Sequence, residues 1–191
     1  MVQQSNTRVA YNLDPWFSGT NSPPSVMTTY TLSETSPERC NLMDPEGNII
    51  YKISSPVTMG NSDVTIMRGE EVIAVIHWKW FEQSTLTMNN RTTELDEVFP
   101  RPKKMSPSRV YTMPDGSQFK WKGADMIYAV NVETRLNVAT YYRSRMHLIN
   151  SKKSMLDIAA GASTELTDAL VVTWAIYEKR AKDLRWSMWG K

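Results

Sequence analysis

The sequence is poor in the side chains that most catalytic and metal sites need. It contains one cysteine, Cys40, and two histidines, His77 and His147. A lone cysteine cannot form an intramolecular disulfide, and these residues are too few for a structural zinc site with four ligands. The P-loop, H-E-x-x-H, G-x-S-x-G and G-x-G-x-x-G patterns are missing as well. We therefore expect a protein that is not an enzyme and that carries no metal and no cofactor.

Long hydrophobic runs are also lacking. The most apolar stretch, Ala169 to Tyr177, is nine residues long, whereas a membrane-spanning helix needs about 20. The N-terminal sequence has neither the basic start nor the apolar core of a secretory signal. Together with a mean hydropathy of -0.43, these absences predict a cytoplasmic protein without a transmembrane segment.

The clearest helix signal of the chain runs from Thr164 to Arg185. No turn residue interrupts it, Ser163 or Thr164 can cap its start, and its acidic and basic residues stand at the ends that the helix dipole favours. Its middle is apolar on every side, so other parts of the chain must enclose it. The β-branched residues of this apolar stretch leave a buried strand as the alternative, but the uninterrupted length favours a helix.

Upstream of this helix, the chain shows the alternating patterns and turn signals of β-strands. In the segment 71–80, the even-numbered residues from Val72 to Trp80 share one strongly apolar face. Even spacing of such strands is typical of a barrel or a sandwich. Residues 94–99 lead into an exposed loop, RPKKMSPS. The predicted strands are 27–32, 40–43, 49–53, 64–68, 71–80, 84–88, 109–113, 118–122, 126–132, 137–143 and 155–159.

The start of the chain differs in composition from the rest. Residues 1–25 are rich in Gln, Asn, Ser, Thr and Pro, which is typical of segments without regular structure. The remaining length suits one domain with a sizeable core. We therefore expect a flexible N-terminal arm over 1–25 and a single domain over 26–191.

Charge is distributed unevenly along the chain. Residues 1–100 hold six Lys and Arg against twelve Asp and Glu, whereas residues 101–153 hold eleven against three. If the strands and loops of 101–153 converge, they form a basic surface suited to the phosphates of lipids or nucleic acid. The alternative is a set of ordinary solvated strand faces. The candidate lipid-binding residues, chosen by charge alone, are Arg101, Lys103, Lys104, Lys120, Lys122, Arg143, Arg145, Lys152 and Lys153.

Four segments carry a resemblance to a known group of proteins. They are IAVIHWKWFEQSTL (73–86), ELDEVFPR (94–101), RVYTMPDGSQFKWKG (109–123) and DALVVTWAIYEKRAKD (168–183). In this order they resemble a fungal family of uncharacterised proteins that belongs with the tubby C-terminal and LURP-one-related group, to which phospholipid scramblases are also related. The resemblance implies a closed antiparallel β-barrel around a central hydrophobic C-terminal helix.

The resemblance also points to membranes, because tubby domains bind phosphoinositides. We expect a non-enzymatic cytoplasmic binding module that contacts anionic phospholipid or phosphoinositide headgroups at a membrane surface through basic residues of 101–153. The alternative is a protein-interaction or structural scaffold module. Nucleic-acid binding is not expected, because the net charge is only +2 and the aromatic residues fall on apolar rather than basic faces.

Overall fold

The computed structural model describes residues 27–56, 62–79, 82–104, 106–123, 126–144 and 153–189, with residues 186–189 as backbone only. The predicted N-terminal arm lies outside these ranges. The described residues form twelve strands and two helices. The strands are β1 (Met27–Leu32), β2 (Cys40–Met43), β3 (Ile49–Ser54), β4 (Ser62–Arg68), β5 (Glu71–Trp78), β6 (Thr85–Met88), β7 (Arg91–Glu94), β8 (Arg109–Thr112), β9 (Gln118–Lys122), β10 (Ile127–Asn131), β11 (Asn137–Tyr142) and β12 (Met155–Ala159), and the helices are α1 (Leu95–Val98) and α2 (Thr164–Trp189).

All twelve strands belong to one antiparallel sheet in the order β7-β6-β5-β4-β3-β2-β1-β12-β11-β10-β9-β8. Strands β1 to β7 are therefore neighbours in chain order, and so are strands β8 to β12. The two groups are joined where β1 pairs with β12. The prediction of a mostly β fold with one C-terminal helix is confirmed. The predicted closure is not seen in the hydrogen bonding, because β7 and β8 remain the two edges of the sheet and no backbone ladder joins them in the described part of the chain.

Helix α2 begins where the sequence predicts and is buried where the sequence is apolar. The side-chain oxygen of Ser163 accepts a hydrogen bond from the Leu166 amide at 3.2 Å, so Ser163 is the cap. Every residue from Ala169 to Tyr177 is buried. Among the described residues, no helix is both long enough and apolar enough to cross a membrane.

The inner face of the sheet contacts α2 from strands that lie far apart in the sheet order. Tyr51 on β3 donates a hydrogen bond to Asp168 at 2.7 Å. On the other half, Trp121 on β9 donates to Thr173 at 2.8 Å. Since α2 has no exposed side over its apolar stretch, the sheet must curl around the helix.

The two edges of the sheet approach each other through side chains. The hydroxyl of Tyr111 on β8 lies 3.8 Å from the sulfur of Met88 on β6. Arg109, also on β8, donates to Asp96 of α1 at 2.6 Å and to the carbonyl of Phe99 at 3.0 Å. Strand β8 therefore faces β6 and α1 across a gap that side chains fill.

Strand β5 departs from the predicted alternation at its start. Val72 pairs with Met67, whereas Ala74 pairs with Ile66, so Ile73 is the extra residue of a β-bulge. The bulge turns Val72 outwards, where it is exposed, while Ile73 and Ala74 are both buried. The prediction that Val72 shares the core face is wrong for this reason, and Trp80 lies outside the described residues.

The segment between β6 and α1 contains a strand that the sequence prediction missed. Asn89 and Asn90 both have positive φ angles, 53° and 58°, which is the conformation of a type I′ hairpin turn. They join β6 to β7, and α1 follows directly with Leu95 buried. Asparagine is one of the few residues that adopt this conformation readily. The Asn89-Asn90 pair is therefore a sequence signal from which this hairpin could have been predicted.

Candidate functional site

Strand β9 alternates between an aromatic inner face and a basic outer face, as predicted. Phe119 and Trp121 are buried against the core, whereas Lys120 and Lys122 are partly exposed on the outer face. The ammonium of Lys122 lies 5.7 Å from the centre of the Tyr128 ring on β10, a cation–π distance. The strand therefore presents two lysines away from the helix.

The loop before β8 lies beside these lysines because of backbone pairing. The amide of Val110 donates to the carbonyl of Pro100 at 3.0 Å, and Val110 is also the register partner of Lys120. Neighbouring strands lie about 4.8 Å apart, so the backbones of Pro100 and Lys120 are separated by about 10 Å. Arg101 follows Pro100 directly and starts the basic part of the loop.

The loop residues themselves are exposed and held by local hydrogen bonds. Arg101, Lys103 and Lys104 are all exposed. The amide of Ser106 donates to the carbonyl of Lys103 at 2.9 Å, which fixes the turn after the two lysines. We define the basic surface as the three basic residues of this loop and the two lysines on the outer face of β9: Arg101, Lys103, Lys104, Lys120 and Lys122.

The other predicted site residues lie elsewhere. Arg143 points to the end of the buried part of α2, where its Nε donates to Glu178 at 3.0 Å and a second nitrogen binds the other carboxylate oxygen. Glu178 is buried and would be costly without such a partner. Lys153 is exposed just before β12, three strands from β9. Arg145 and Lys152 lie outside the described residues.

A second charged cluster joins α1, β8 and α2. One carboxylate oxygen of Asp96 accepts hydrogen bonds from Arg109 at 2.6 Å and Arg180 at 2.7 Å. Burial alone raises the pKa of Asp96, but the two guanidinium groups outweigh it and hold the pKa below its ordinary value. The side chain of Arg109 is almost fully buried, so Asp96 compensates a charge that has lost its water.

A third cluster surrounds the start of α2. Asp168 accepts hydrogen bonds from Tyr51 at 2.7 Å and from Arg68 at 2.8 Å. Burial nevertheless raises the pKa of Asp168 above its ordinary value. Tyr51 likewise has a raised pKa, through burial and its bond to Asp168. Polar clusters thus lie at both ends of the buried part of α2. The hydrogen bonds described here join residues of the same chain to one another.

The described residues offer little for catalysis. Burial, and then the charge of Glu34, raises the pKa of the Cys40 thiol to about 12, so this thiol is not a nucleophile near neutral pH. His77 lies on the outer face of β5 within 2.8 Å of Asp63. Within the described ranges, no three His, Cys, Asp or Glu side chains are grouped so that they could hold a metal ion.

A cleft of about 450 Å³ opens near the start of α2. Its lining includes Glu71, Asp168, Asn89 and Asn90. Two of these residues are acidic and none belongs to the basic surface. The cleft is therefore poorly suited to an anionic ligand.

Residues 35–183 match the model of a family described as a family of unknown function, DUF6593. The chain belongs to the DUF6593 family. The match covers eleven of the twelve strands, from β2 to β12, and most of α2. A comparison with curated proteins found no match, and neither did a comparison with solved structures. Arguments about the function of this DUF6593 chain therefore depend on its own residues.

Sequence reasoning did not find the paired carboxylates Asp96, Asp168 and Glu178. For two of them a signal was present, because Asp168 and Glu178 directly flank the apolar stretch of α2. An acidic residue beside an enclosed stretch is expected to need an internal partner. The identity of the partners was not predictable, since Arg143 is 35 residues from Glu178 and Arg68 is 100 from Asp168.

Proposed function

We propose that this protein is a non-enzymatic cytoplasmic binding module that contacts the anionic headgroups of phospholipids or phosphoinositides through the basic surface. The observation that supports this most is the placement of Val110 between Pro100 and Lys120, which puts the start of the basic loop two strand spacings from the lysines of β9. Each Lys or Arg close to an anionic membrane contributes about 1 kcal/mol. Five such residues are enough for reversible, salt-sensitive attachment to a membrane surface.

We also propose that the curled sheet and α2 form a closed barrel of the tubby and LURP-one-related type. Two contacts support closure by side chains instead of a backbone ladder. Tyr111 of β8 reaches Met88 of β6, and Asp96 joins Arg109 of β8 to Arg180 of α2. In this arrangement β9 lies between β8 and β10 in the barrel wall, so the backbone positions of its two lysines are set by hydrogen bonds on both sides.

Co-sedimentation with lipid vesicles tests the binding proposal. We expect the protein to bind phosphatidylserine or phosphoinositide vesicles and not neutral phosphatidylcholine vesicles, more strongly at low than at physiological salt. The double variants Lys103→Glu/Lys104→Glu and Lys120→Glu/Lys122→Glu should each bind at least tenfold more weakly, because each loses two favourable charges of about 1 kcal/mol and gains two repulsive ones.

A matched control separates the basic surface from net charge. Lys52→Glu/Arg91→Glu makes the same change in net charge at two exposed positions, on β3 and β7, and should bind as the unchanged protein does. If this control loses as much vesicle binding as the two double variants, the effect comes from net charge and not from the basic surface. Absence of binding to anionic vesicles at both salt concentrations would reject the proposal.

The edge of β7 supports a second candidate function, a protein-interaction or scaffold module. In the described part of the chain, β7 pairs only with β6, and three of its four residues are exposed. A free strand edge can pair with a strand of another protein. Stable dimers in sedimentation of the vesicle-free protein would favour this function over membrane binding.

A further inference from the structure

The basic loop between α1 and β8 contains a Ser-Pro pair, Ser106-Pro107. Proline-directed kinases phosphorylate the serine of such pairs when the surrounding chain is accessible. The sequence holds three further pairs, which begin at Ser22, Ser36 and Ser55. Ser22 lies outside the described residues, so the surroundings of the other three serines can be compared.

These three pairs differ in accessibility. Pro37, which follows Ser36, is buried, whereas Pro107 is exposed. Ser55 directly follows β3, which pairs with β2 on one side and with β4 on the other. Ser106 is partly exposed in a loop outside the sheet, and a residue before proline favours the extended conformation. Of the three serines, Ser106 is therefore the one best placed to enter a kinase active site.

The charged side chains around Ser106 in the loop are all positive. Residues 98–114 contain no Asp or Glu. The amide of Ser106 donates to the carbonyl of Lys103 at 2.9 Å, and such a turn keeps the two Cα atoms within about 7 Å. The guanidinium of Arg101 lies 3.5 Å from the carbonyl oxygen of Lys104, so it folds back over the same loop. A phosphate on Ser106 can accept charge-assisted hydrogen bonds from these groups.

We propose that Ser106 is a phosphorylation site and that its phosphate neutralises the basic surface. The γ-phosphoryl group of ATP passes to Oγ of Ser106, the bond to ADP breaks, and the hydroxyl proton goes to the catalytic base of the kinase. Phosphoserine adds a charge of about −1.5 to −2 near neutral pH, against five positive side chains. Its effect on membrane attachment rests on the proposed function, whereas the modification itself does not. A phosphate beside basic residues releases a protein from an anionic membrane.

Phosphorylation of the full chain in vitro tests the site. With a proline-directed kinase and ATP, we expect a phosphate on Ser106, located by mass spectrometry, at a rate similar to that of a peptide of residues 99–110. Ser36 is the matched comparison. Because Pro37 is buried, Ser36 should react at least about tenfold more slowly than in a peptide of residues 30–42. If Ser106 stays unmodified in the folded chain, the proposal is overturned.

Vesicle binding tests the consequence. The protein phosphorylated on Ser106 should bind phosphatidylserine vesicles at least about tenfold more weakly than the same protein after phosphatase treatment. Kinase-treated Ser106→Ala should bind as the untreated protein does, which controls for phosphates elsewhere. Lys52→Glu changes the net charge by the same two units at an exposed position on β3 and should also bind normally. Equal binding before and after phosphatase treatment would overturn the proposed control of the surface.

A third measurement does not depend on lipid. Phosphoserine has a second pKa of about 6, and nearby cations lower it. In a phosphorus NMR titration, this pKa should be lower in the phosphorylated protein than in its Arg101→Gln/Lys103→Gln/Lys104→Gln variant. Equal values would show that the phosphate does not meet the loop cations. If the unmodified protein binds no anionic vesicle, the membrane function is rejected, while kinase labelling and this titration still decide the inference about Ser106.

Discussion

At the residue scale, two buried tryptophans in contact with the core differ in their polar atoms. Trp121 donates its indole N–H to Thr173, whereas the indole N–H of Trp174 has no partner among the described residues. Both side chains are fully buried. An unpaired buried donor has already lost its bond to water, so removing it costs less than removing one partner of a formed bond.

Trp121→Phe should therefore destabilise the protein more than Trp174→Phe, by about 1 kcal/mol. Both substitutions remove a similar volume, which makes each the control for the other. Urea unfolding followed by far-ultraviolet circular dichroism measures the difference without using tryptophan fluorescence. Combining Trp121→Phe with Thr173→Val in a double-mutant cycle should recover a coupling energy of about the same size. Equal losses for the two tryptophan variants would show that the Trp121–Thr173 bond contributes nothing net.

At the scale of the element, the link from β9 to β10 depends on Gly123. Its φ angle is 95°, and a Cβ atom there would overlap the carbonyl oxygen of Met126 and come within 3.0 Å of the carbonyl carbon. Its own carbonyl accepts a hydrogen bond from Tyr177 of α2 at 3.1 Å. The absence of a side chain thus fixes both the turn and its contact with the helix.

Gly123→Ala should lower the free energy of unfolding by at least about 2 kcal/mol, since backbone atoms cannot move aside as a flexible side chain would. Gly116→Ala is the matched control. It also has a positive φ, 84°, but nothing lies within 4 Å of the added Cβ, so its cost should be about 1 kcal/mol. Chemical denaturation of both variants measures the two values. Equal costs would mean that the Met126 contact relaxes freely.

At the same scale, β-bulges determine which residues of a strand face the core. Register shifts occur in β4–β5, in β2–β3 and in β10–β11. Each shift resets which residues face the core. The exposed Val72 and the buried Ile73 show that an apolar residue at the expected spacing can face solvent when a bulge precedes the regular part of the strand.

At the scale of the whole molecule, Asp96 connects three elements that are distant in sequence. It joins the short helix α1 to Arg109 on the sheet edge and to Arg180 on α2. Loss of its charge leaves the buried guanidinium of Arg109 without its carboxylate. Asp96→Asn should therefore destabilise the fold near neutral pH by about 1 kcal/mol, because water screens the largely exposed carboxylate even though Arg109 is buried.

The pH dependence of this loss has a definite sign. The folded pKa of Asp96 is below its ordinary value, so its stabilising effect is complete above the unfolded pKa of about 3.9 and disappears as pH falls through the folded pKa. Urea unfolding from pH 7 to pH 3 should show the difference between the unchanged protein and Asp96→Asn shrinking below about pH 4. Glu97→Gln, at an exposed neighbouring position, should change stability by less than about 0.5 kcal/mol. A difference that stays constant with pH would contradict the role of the carboxylate charge.

The sequence by itself determined the elements with strong local signals. Helix α2 follows from its cap at Ser163 and its uninterrupted length. The alternation in β9, with Phe119 and Trp121 inside and two lysines outside, follows from a hairpin turn and a period of two. These signals act within a few residues, so they are complete before any distant part of the chain is placed.

Only the tertiary structure decided which charges remain at the surface and which are taken inside. Arg143 and Lys120 belong to the same basic stretch of sequence, yet Arg143 pairs with a buried carboxylate of α2 and Lys120 stays on the outer face. The burial of Asp157 and Thr140 is equally invisible to local patterns. The physical reason is that burial and charge pairing depend on which segments, distant in sequence, come into contact. The curl of the sheet around α2 determines these contacts.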